Sequence, residues 1–228
     1  MMSTIIRTTT AQLCCDSEWE AAYHRFETPQ EEIHKFVARL NKFGAKSWPK
    51  FDQIVEIFCG RGNGLIALHQ LGFQRLEGVD LSEKLLLQYE GSAQCYVADC
   101  RSLPFEDSSR DVVIVQGGMH HLPELPGDLD SVLKEVHRVL RPGGRFYAVE
   151  PWRTPFLTFV HFVSERALAR RLWDKLDALA VMTEHERTTY EQWLSRGPEI
   201  LSLLNQYFDP NFCTQSWGKL RYAGVRRG

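Results

Sequence analysis

The chain has 228 residues, of which 43% are hydrophobic and 25% charged, and its formal net charge is -2. Those values suit one globular domain able to bury its own core, and they exclude a disordered or fibrous chain. The near-neutral charge supplies no electrostatic case for a nucleic-acid partner, and the basic end "RYAGVRR" reads as a solvated terminus. No stretch approaches the roughly 18 apolar residues of a membrane span, and "MMSTIIRTTTAQLCC" lacks the apolar segment of a signal peptide. The cysteines are Cys14, Cys15, Cys59, Cys95, Cys100 and Cys213. None forms a C-x-x-C pair or stands at zinc spacing with histidine, so reduced thiols, no metal and a cytoplasmic location are expected.

The first fifty residues read as helical. Ser17 is a candidate N-cap with Glu20 completing a capping box. A second helix opens at Thr28-Pro29, carries Glu31 and Glu32 in its first turn, and stops at Gly44. Ile33, Phe36, Val37 and Leu40 give it an apolar stripe at helical spacing. After Pro49 short β-rich runs alternate with helices. The runs are "QIVEIF", "RLEGVD", "QCYVAD", "DVVIVQ" and "RFYAVEP". The intervening helices are "LIALHQLG", "SEKLLLQYE" and "DLDSVLKEVHRVLRPGG". This alternation predicts a Rossmann-like, doubly wound, mostly parallel α/β sheet. From Thr154 a helical insertion follows, broken at Gly197-Pro198, and a C-terminal antiparallel hairpin turning near Gly218 closes the sheet. One domain is expected, with a helical lid over 1–50, a binding core over 51–151, a helical cap over 152–208 and the hairpin over 209–228.

Open α/β sheets bind ligands beyond the carboxyl ends of their strands. After the first run stand Gly60, Gly62 and Gly64, where backbone can approach a ligand and a helix N-terminus offers free amides to an anionic group. Gly64 reads as a packing glycine. Asp80 ends the second run, placed to accept from both hydroxyls of a ribose. A dinucleotide loop would read G-x-G-x-x-G, but Leu65 stands at its third glycine, which disfavours a nicotinamide oxidoreductase.

With these segments in view, the chain closely resembles the class I S-adenosylmethionine-dependent methyltransferases, nearest to the small-molecule branch of ubiquinone and menaquinone methyltransferases. The resemblance spans about residues 51–151. "VEIFCGRGNG" matches the glycine loop with Glu56 as its leading acid, "GVDLSEKLL" the ribose segment, and "VADCRSLPFEDSSRDVVIV" the adenine segment. "LKEVHRVLRPGGRFYAVEP" matches the helix and strand that close the half-sheet. The resemblance implies S-adenosylmethionine as cofactor, held by Glu56, Phe58, Gly60, Gly62, Asp80, Leu81, Asp99, Cys100 and Gln116. Asp99 would accept from the adenine amino group, and Cys100 would serve through its backbone amide. One residue departs from the pattern. Phe58 replaces the first glycine of the acidic-x-G-x-G-x-G loop, where β geometry would accommodate its side chain and narrow the methionine end of the pocket.

The same resemblance implies methyl transfer to a small-molecule acceptor, by in-line displacement, with oxygen, nitrogen or carbon as the target atom undecided. "QGGMHHL" follows the fourth run in place of the Asn/Asp-Pro-Pro-aromatic of base and glutamine methyltransferases. His121, His120 and Glu150 are the candidate bases, each with a structural role open beside the catalytic one. Tyr23, as part of a lid, and His161 and Tyr190, in the insertion, are candidates to cover or reach the acceptor. The rival reading is a catalytically silent protein that binds the cofactor and serves a partner. Oligomeric state is left open.

Overall fold

The computed structural model describes residues 4–10 and 17–228, so Cys14, Cys15 and the residue before Ser17 lie outside the described part. The five runs are strands: β2 (Gln53–Ile57), β3 (Arg75–Asp80), β4 (Gln94–Val97), β5 (Arg110–Gln116) and β6 (Leu140–Pro151). They pair in parallel. The terminal strands β7 (Phe208–Ser216) and β8 (Lys219–Arg226) form the expected hairpin, with β8 antiparallel to β6. An additional strand, β1 (Ile5–Arg7), pairs in parallel with β4. Its stretch was expected to be helical. Two β-branched residues suit a strand edge, but their partner is distant in sequence and leaves no local signal.

The sheet order is β1-β4-β3-β2-β5-β6-β8-β7. Connections run outward on both sides of β2 and β5, so the switch point lies between these two strands. β5 shows why the sheet needs two covering layers. Val113 and Val115 enter one core and Val112 and Ile114 the other, as a continuous apolar run requires. One face is covered by α2 (Pro29–Lys42), α3 (Asn63–Gln70) and the single turn α4 (Glu83–Leu86). The other is covered by α5 (Gly127–Val139), α9 (Arg187–Ser195) and α10 (Gly197–Tyr207).

Thr28 caps α2 and Pro29 opens it as read, and Glu31 completes a capping box that the sequence reading places only at Ser17 and Glu20. Ser17 is the first residue of α1 (Ser17–Phe26). The helix expected after Ser82 is cut to α4 because Tyr89 turns back. Its hydroxyl accepts from the Ala93 amide at 3.1 Å and its ring covers Gly62. The Pro-Gly-Gly that was expected to end α5 lies inside β6 instead, and the helix stops at Val139. The long insertion helix is three: α6 (Pro155–Ser164), α7 (Ala167–Leu172) and α8 (Asp174–His185). Tertiary contacts override its continuous periodicity: α8 packs on α1, and Arg25 pairs with Asp174 and Asp177 at 2.9 and 3.0 Å. Thr154 caps α6 through Leu157 N and also accepts from Gly218 N at 3.0 Å, tying the cap to the hairpin turn.

Candidate active site

The glycine loop joins β2 to α3. Glu56 is buried, and burial pushes its carboxyl up to about 8, which favours its protonated form. Gln116 Nε2 donates to its Oε1 at 3.2 Å. A Cβ on Gly64 would lie 1.9 Å from that same oxygen, so Gly64 leaves room for the carboxyl. Gly60 and Gly62 have φ of 53° and 76°, and Gly62 is the N-cap of α3. Both need the left-handed conformation that glycine takes without strain.

Phe58 corrects the sequence reading. Its backbone does not keep β geometry; φ is 54°, the conformation of the glycine it replaces. For a bulky residue this costs about 1–2 kcal/mol. The ring lies against Gly118, where an added Cβ would be 2.2 Å from that of Phe58. The benzyl group is therefore wedged between the ends of β2 and β5, at the switch point, and Gly118 is the space it needs.

Asp80 closes the other side of the loop. Its Oδ2 accepts from Gly60 N at 2.7 Å and its Oδ1 from Ser82 N at 2.8 Å. Each oxygen keeps acceptor capacity. Burial raises its pKa, while the amides of Ser82, Gly60 and Leu81 oppose that shift. Asp99, after β4, is held by Arg101, whose Nη2 reaches Oδ2 at 2.7 Å and whose backbone amide donates to Oδ1 at 2.9 Å. Arg101 keeps this carboxylate below its usual range. Cys100 beside it is buried. Gln116 Oε1 is buried and has no hydrogen-bond partner among the described residues.

Beyond β5 and β6 a second group assembles. Glu150 is fully buried, and its Oε1 accepts from the amides of Gly118 and Met119, both at 2.9 Å. Its Oε2 lies 2.7 Å from His120 Nδ1. Glu150 thus orients the histidine loop and has no oxygen directed at an acceptor. The opposite ring nitrogen, His120 Nε2, lies 3.8 Å from Glu186 Oε2, and His121 Nδ1 lies 3.7 Å from Glu186 Oε1. Burial raises the pKa of Glu186, and burial together with His120 holds His121 well below its ordinary value. Tyr190 meets the His120 ring edge-on at 6.0 Å, and its hydroxyl lies 3.2 Å from His161 Nε2. His161 and Tyr190 are therefore adjacent to the histidine pair.

Helix α1 spans the two groups. Trp19 stacks on Tyr23 with ring centroids 5.1 Å apart and meets His121 edge-on at 6.3 Å. Arg61 of the glycine loop lies over the Tyr23 ring at 5.1 Å. Tyr23 donates its hydroxyl to Glu32, which also accepts from Asn63 Nδ2 at 2.7 Å. Three members of this arrangement were missed in the sequence. Glu32 looked like an ordinary first-turn acid, Glu186 like one charge among several, and Trp19 like an apolar helix residue. The pairing of Glu32 with Tyr23 and Asn63 is visible only in space.

A mostly parallel sheet with a glycine loop and an acidic residue at the next strand end is a Rossmann-like fold, with its crevice at the switch point. Residues 55–148 match the family described as "Methyltransferase domain". The chain is similar to the 27-O-demethylrifamycin SV methyltransferase of Amycolatopsis mediterranei, 28% identical over 77% of this chain and 64% of the relative. It is also similar to the demethylmenaquinone methyltransferase of Staphylococcus epidermidis, 34% identical over 52% of this chain and 51% of the relative. The chain thus spans about half to two thirds of the length of these relatives. In fold it resembles the PH0226 protein of Pyrococcus horikoshii, with a TM-score of 0.68, 20% identity, and 93% and 100% of the two chains covered. Residues 55–148 thus match a methyltransferase domain, and the chain is similar there to S-adenosylmethionine-dependent methyltransferases of class I fold.

The residues present fit that cofactor. The orphaned Gln116 Oε1 offers an acceptor to an ammonium group, and Asp80 retains acceptor sites for ribose hydroxyls. The side of Gly60 where a Cβ would stand is open, a Cβ built there lying 4.0 Å from a Leu85 methyl.

Proposed function

We propose that this protein transfers a methyl group from S-adenosylmethionine to a small-molecule acceptor, and that His120, oriented by Glu150, receives the proton the acceptor gives up. The observation that carries this reading is the buried Glu150–His120 pair at 2.7 Å, set beside the switch-point crevice. When bound, S-adenosylmethionine supplies an activated methyl on a sulfonium, so displacement itself needs no protein nucleophile. The chain's part is placement, exclusion of water and proton transfer.

In that reading Glu56, Phe58, Gly60, Gly62 and Gln116 shape the methionine end, Asp80 and Leu81 take the ribose, and Asp99 and Cys100 flank the adenine. The carboxylate of Glu150 accepts from His120 Nδ1–H, which leaves Nε2 with its lone pair free to take a proton. His121, whose protonated form is disfavoured by burial and by His120, lines the pocket as a neutral ring. Tyr23 and Trp19 close the site from above. Tyr190 and His161 line the acceptor side. An acceptor with an aromatic ring agrees with the Tyr190 and histidine rings, and the relatives' names give demethylrifamycin and demethylmenaquinone, both small molecules, as acceptors. A cytoplasmic location follows from the reduced-thiol reading.

The test separates turnover from binding. Incorporation of labelled methyl from S-adenosylmethionine into candidate phenolic and quinol acceptors is measured for the wild type and for His120→Ala. The variant is expected to lose roughly 10²–10⁴ in turnover where the acceptor must be deprotonated, with affinity for S-adenosylhomocysteine unchanged. Equal losses in both quantities would give His120 a structural role. Binding without turnover on any acceptor would favour the silent, partner-serving alternative.

A further inference from the structure

We propose that helices α6 and α7, with the tip of the β7–β8 hairpin, dock this protein on an anionic membrane surface. The docking stands independently of methyl transfer. Only its consequence, delivery of a lipid-borne acceptor, rests on that reading.

The insertion exposes apolar side chains that a soluble surface would cover. Phe156, Phe159 and Phe162 repeat at three-residue spacing along α6, and all three are exposed. Leu168, Leu172 and Trp173 continue this exposure along and just beyond α7, at 70%, 78% and 64%. A further residue comes from another part of the fold. Trp217, at the hairpin turn, is 73% exposed and its ring meets that of Phe156 at 5.2 Å. Large contiguous apolar patches are uncommon on soluble monomers and mark interaction sites.

The Trp217 backbone is a second, independent observation. Its φ is 53°, a left-handed conformation that bulky residues rarely adopt. The turn is pinned there. Gly218 N donates to Thr154 Oγ1 at 3.0 Å and Trp152 N donates to Gly218 O at 2.9 Å. Trp217 and Gly218 are both left-handed, as a tight two-residue hairpin turn requires, so the turn itself fixes the indole out in solvent at a hydration cost.

Charge selects the occupant. Between residues 153 and 173 the chain has Arg153, Arg166, Arg170 and Arg171 against Glu165 alone, within a protein of net charge -2. Arg170 pairs with Asp177 and Glu184. Arg153, Arg166 and Arg171 form no ion pair among the described residues. The Arg166 guanidinium lies 4.4 Å from the Phe162 ring centroid, and Arg153 lines an open groove with Phe159 and Phe162. A second copy on this patch would bring like charges together around a twofold axis. An anionic lipid surface instead receives phenylalanine, leucine and tryptophan at its interface and arginine at its headgroups. No helix among the described residues is long and apolar enough to cross a membrane, so the contact lies along the surface.

The patch is also next to the site. His161 is on α6 itself and touches the Tyr190 hydroxyl, and Tyr190 touches His120. One helix thus presents its outer face to the lipid and its inner face to the acceptor side of the cleft.

The test is co-sedimentation of the full chain with vesicles of phosphatidylcholine alone and of phosphatidylcholine mixed with phosphatidylglycerol. Binding is expected only with phosphatidylglycerol present, weakening as salt is raised. Phe159→Ser with Leu172→Ser should lower the partition coefficient by roughly tenfold or more. Arg166→Glu with Arg171→Glu should lower it by at least roughly fivefold per position. All variants should keep the wild-type circular dichroism and S-adenosylhomocysteine affinity, because these side chains are exposed and remote from the glycine loop. Absence of wild-type binding to the mixed vesicles would overturn the proposal, as would equal binding by the variants. So would a wild-type dimer that the Phe159/Leu172 variant dissociates. Vesicle binding without any affinity for S-adenosylhomocysteine would sink the methyltransferase reading and leave the docking standing.

Discussion

At Glu56 and Phe58 the loop spends stability on shape. Glu56 has a folded pKa of about 8 against an ordinary 4.5, so the folded state holds a proton that the unfolded chain releases between those values. A raised carboxyl contributes a stability that is fully present below the unfolded pKa and is lost as pH rises through the folded one. Glu56→Gln removes this titration while keeping size and hydrogen bonding. Urea unfolding should show the wild type losing up to several kcal/mol relative to the variant between about pH 5 and about pH 8. Parallel pH profiles would show that Glu56 is ionised in the fold. For Phe58 the account concerns a pair. Gly118→Ala should destabilise by about 1–3 kcal/mol through overpacking against the ring. Phe58→Gly should relieve that clash, so that the double variant is more stable than the sum of the single effects predicts. Additivity in thermal melts would show that the ring is not wedged.

Among the elements, α1 is the one whose contacts belong to everything around it. It reaches the glycine loop through Tyr23 and Arg61, α4 through Glu20 and Lys84, and α8 through Arg25. Most of these ties are exposed ion pairs, each worth about 0–1 kcal/mol. The helix's buried tie runs from Tyr23 through Glu32 to Asn63 at the start of α3, which couples α1 to the glycine loop. S-adenosylhomocysteine should therefore slow hydrogen exchange in α1 together with that at Gly60 to Asn63. Protection in the loop alone would separate α1 from the cofactor. The same element marks how far the sequence could be read. The five central strands, the Thr28 cap, the break at Gly197-Pro198 and the hairpin at Gly218 follow from local chemistry and are legible. Strand β1 and the division of the insertion into α6, α7 and α8 depend on partners far away in the chain, which no local period encodes.

In the whole molecule, the sheet brings two sets of side chains to one rim. Asp80 and the glycines could be named from sequence because strand ends and positive φ leave a local pattern. The Glu150–His120 pair could be named only as separate candidates. That Glu150 is consumed by two amides and one imidazole appears when β6 lies beside the loop after β5. Glu32 and Glu186 had no such signal, since an acid on a helix usually faces water. In the proposed reading the cofactor residues lie on or just after β2, β3, β4 and β5, the proton acceptor follows β5, and the outer face of the cap is apolar and basic.

The most direct test of that account is calorimetric titration of S-adenosylhomocysteine into the wild type and Asp80→Ala, with NAD as the control ligand. The account predicts saturable wild-type binding, a loss of roughly 1–3 kcal/mol in the variant as expected when a buried polar partner is removed, and no binding of NAD. Unchanged affinity in Asp80→Ala, or binding of NAD in place of S-adenosylhomocysteine, would contradict it.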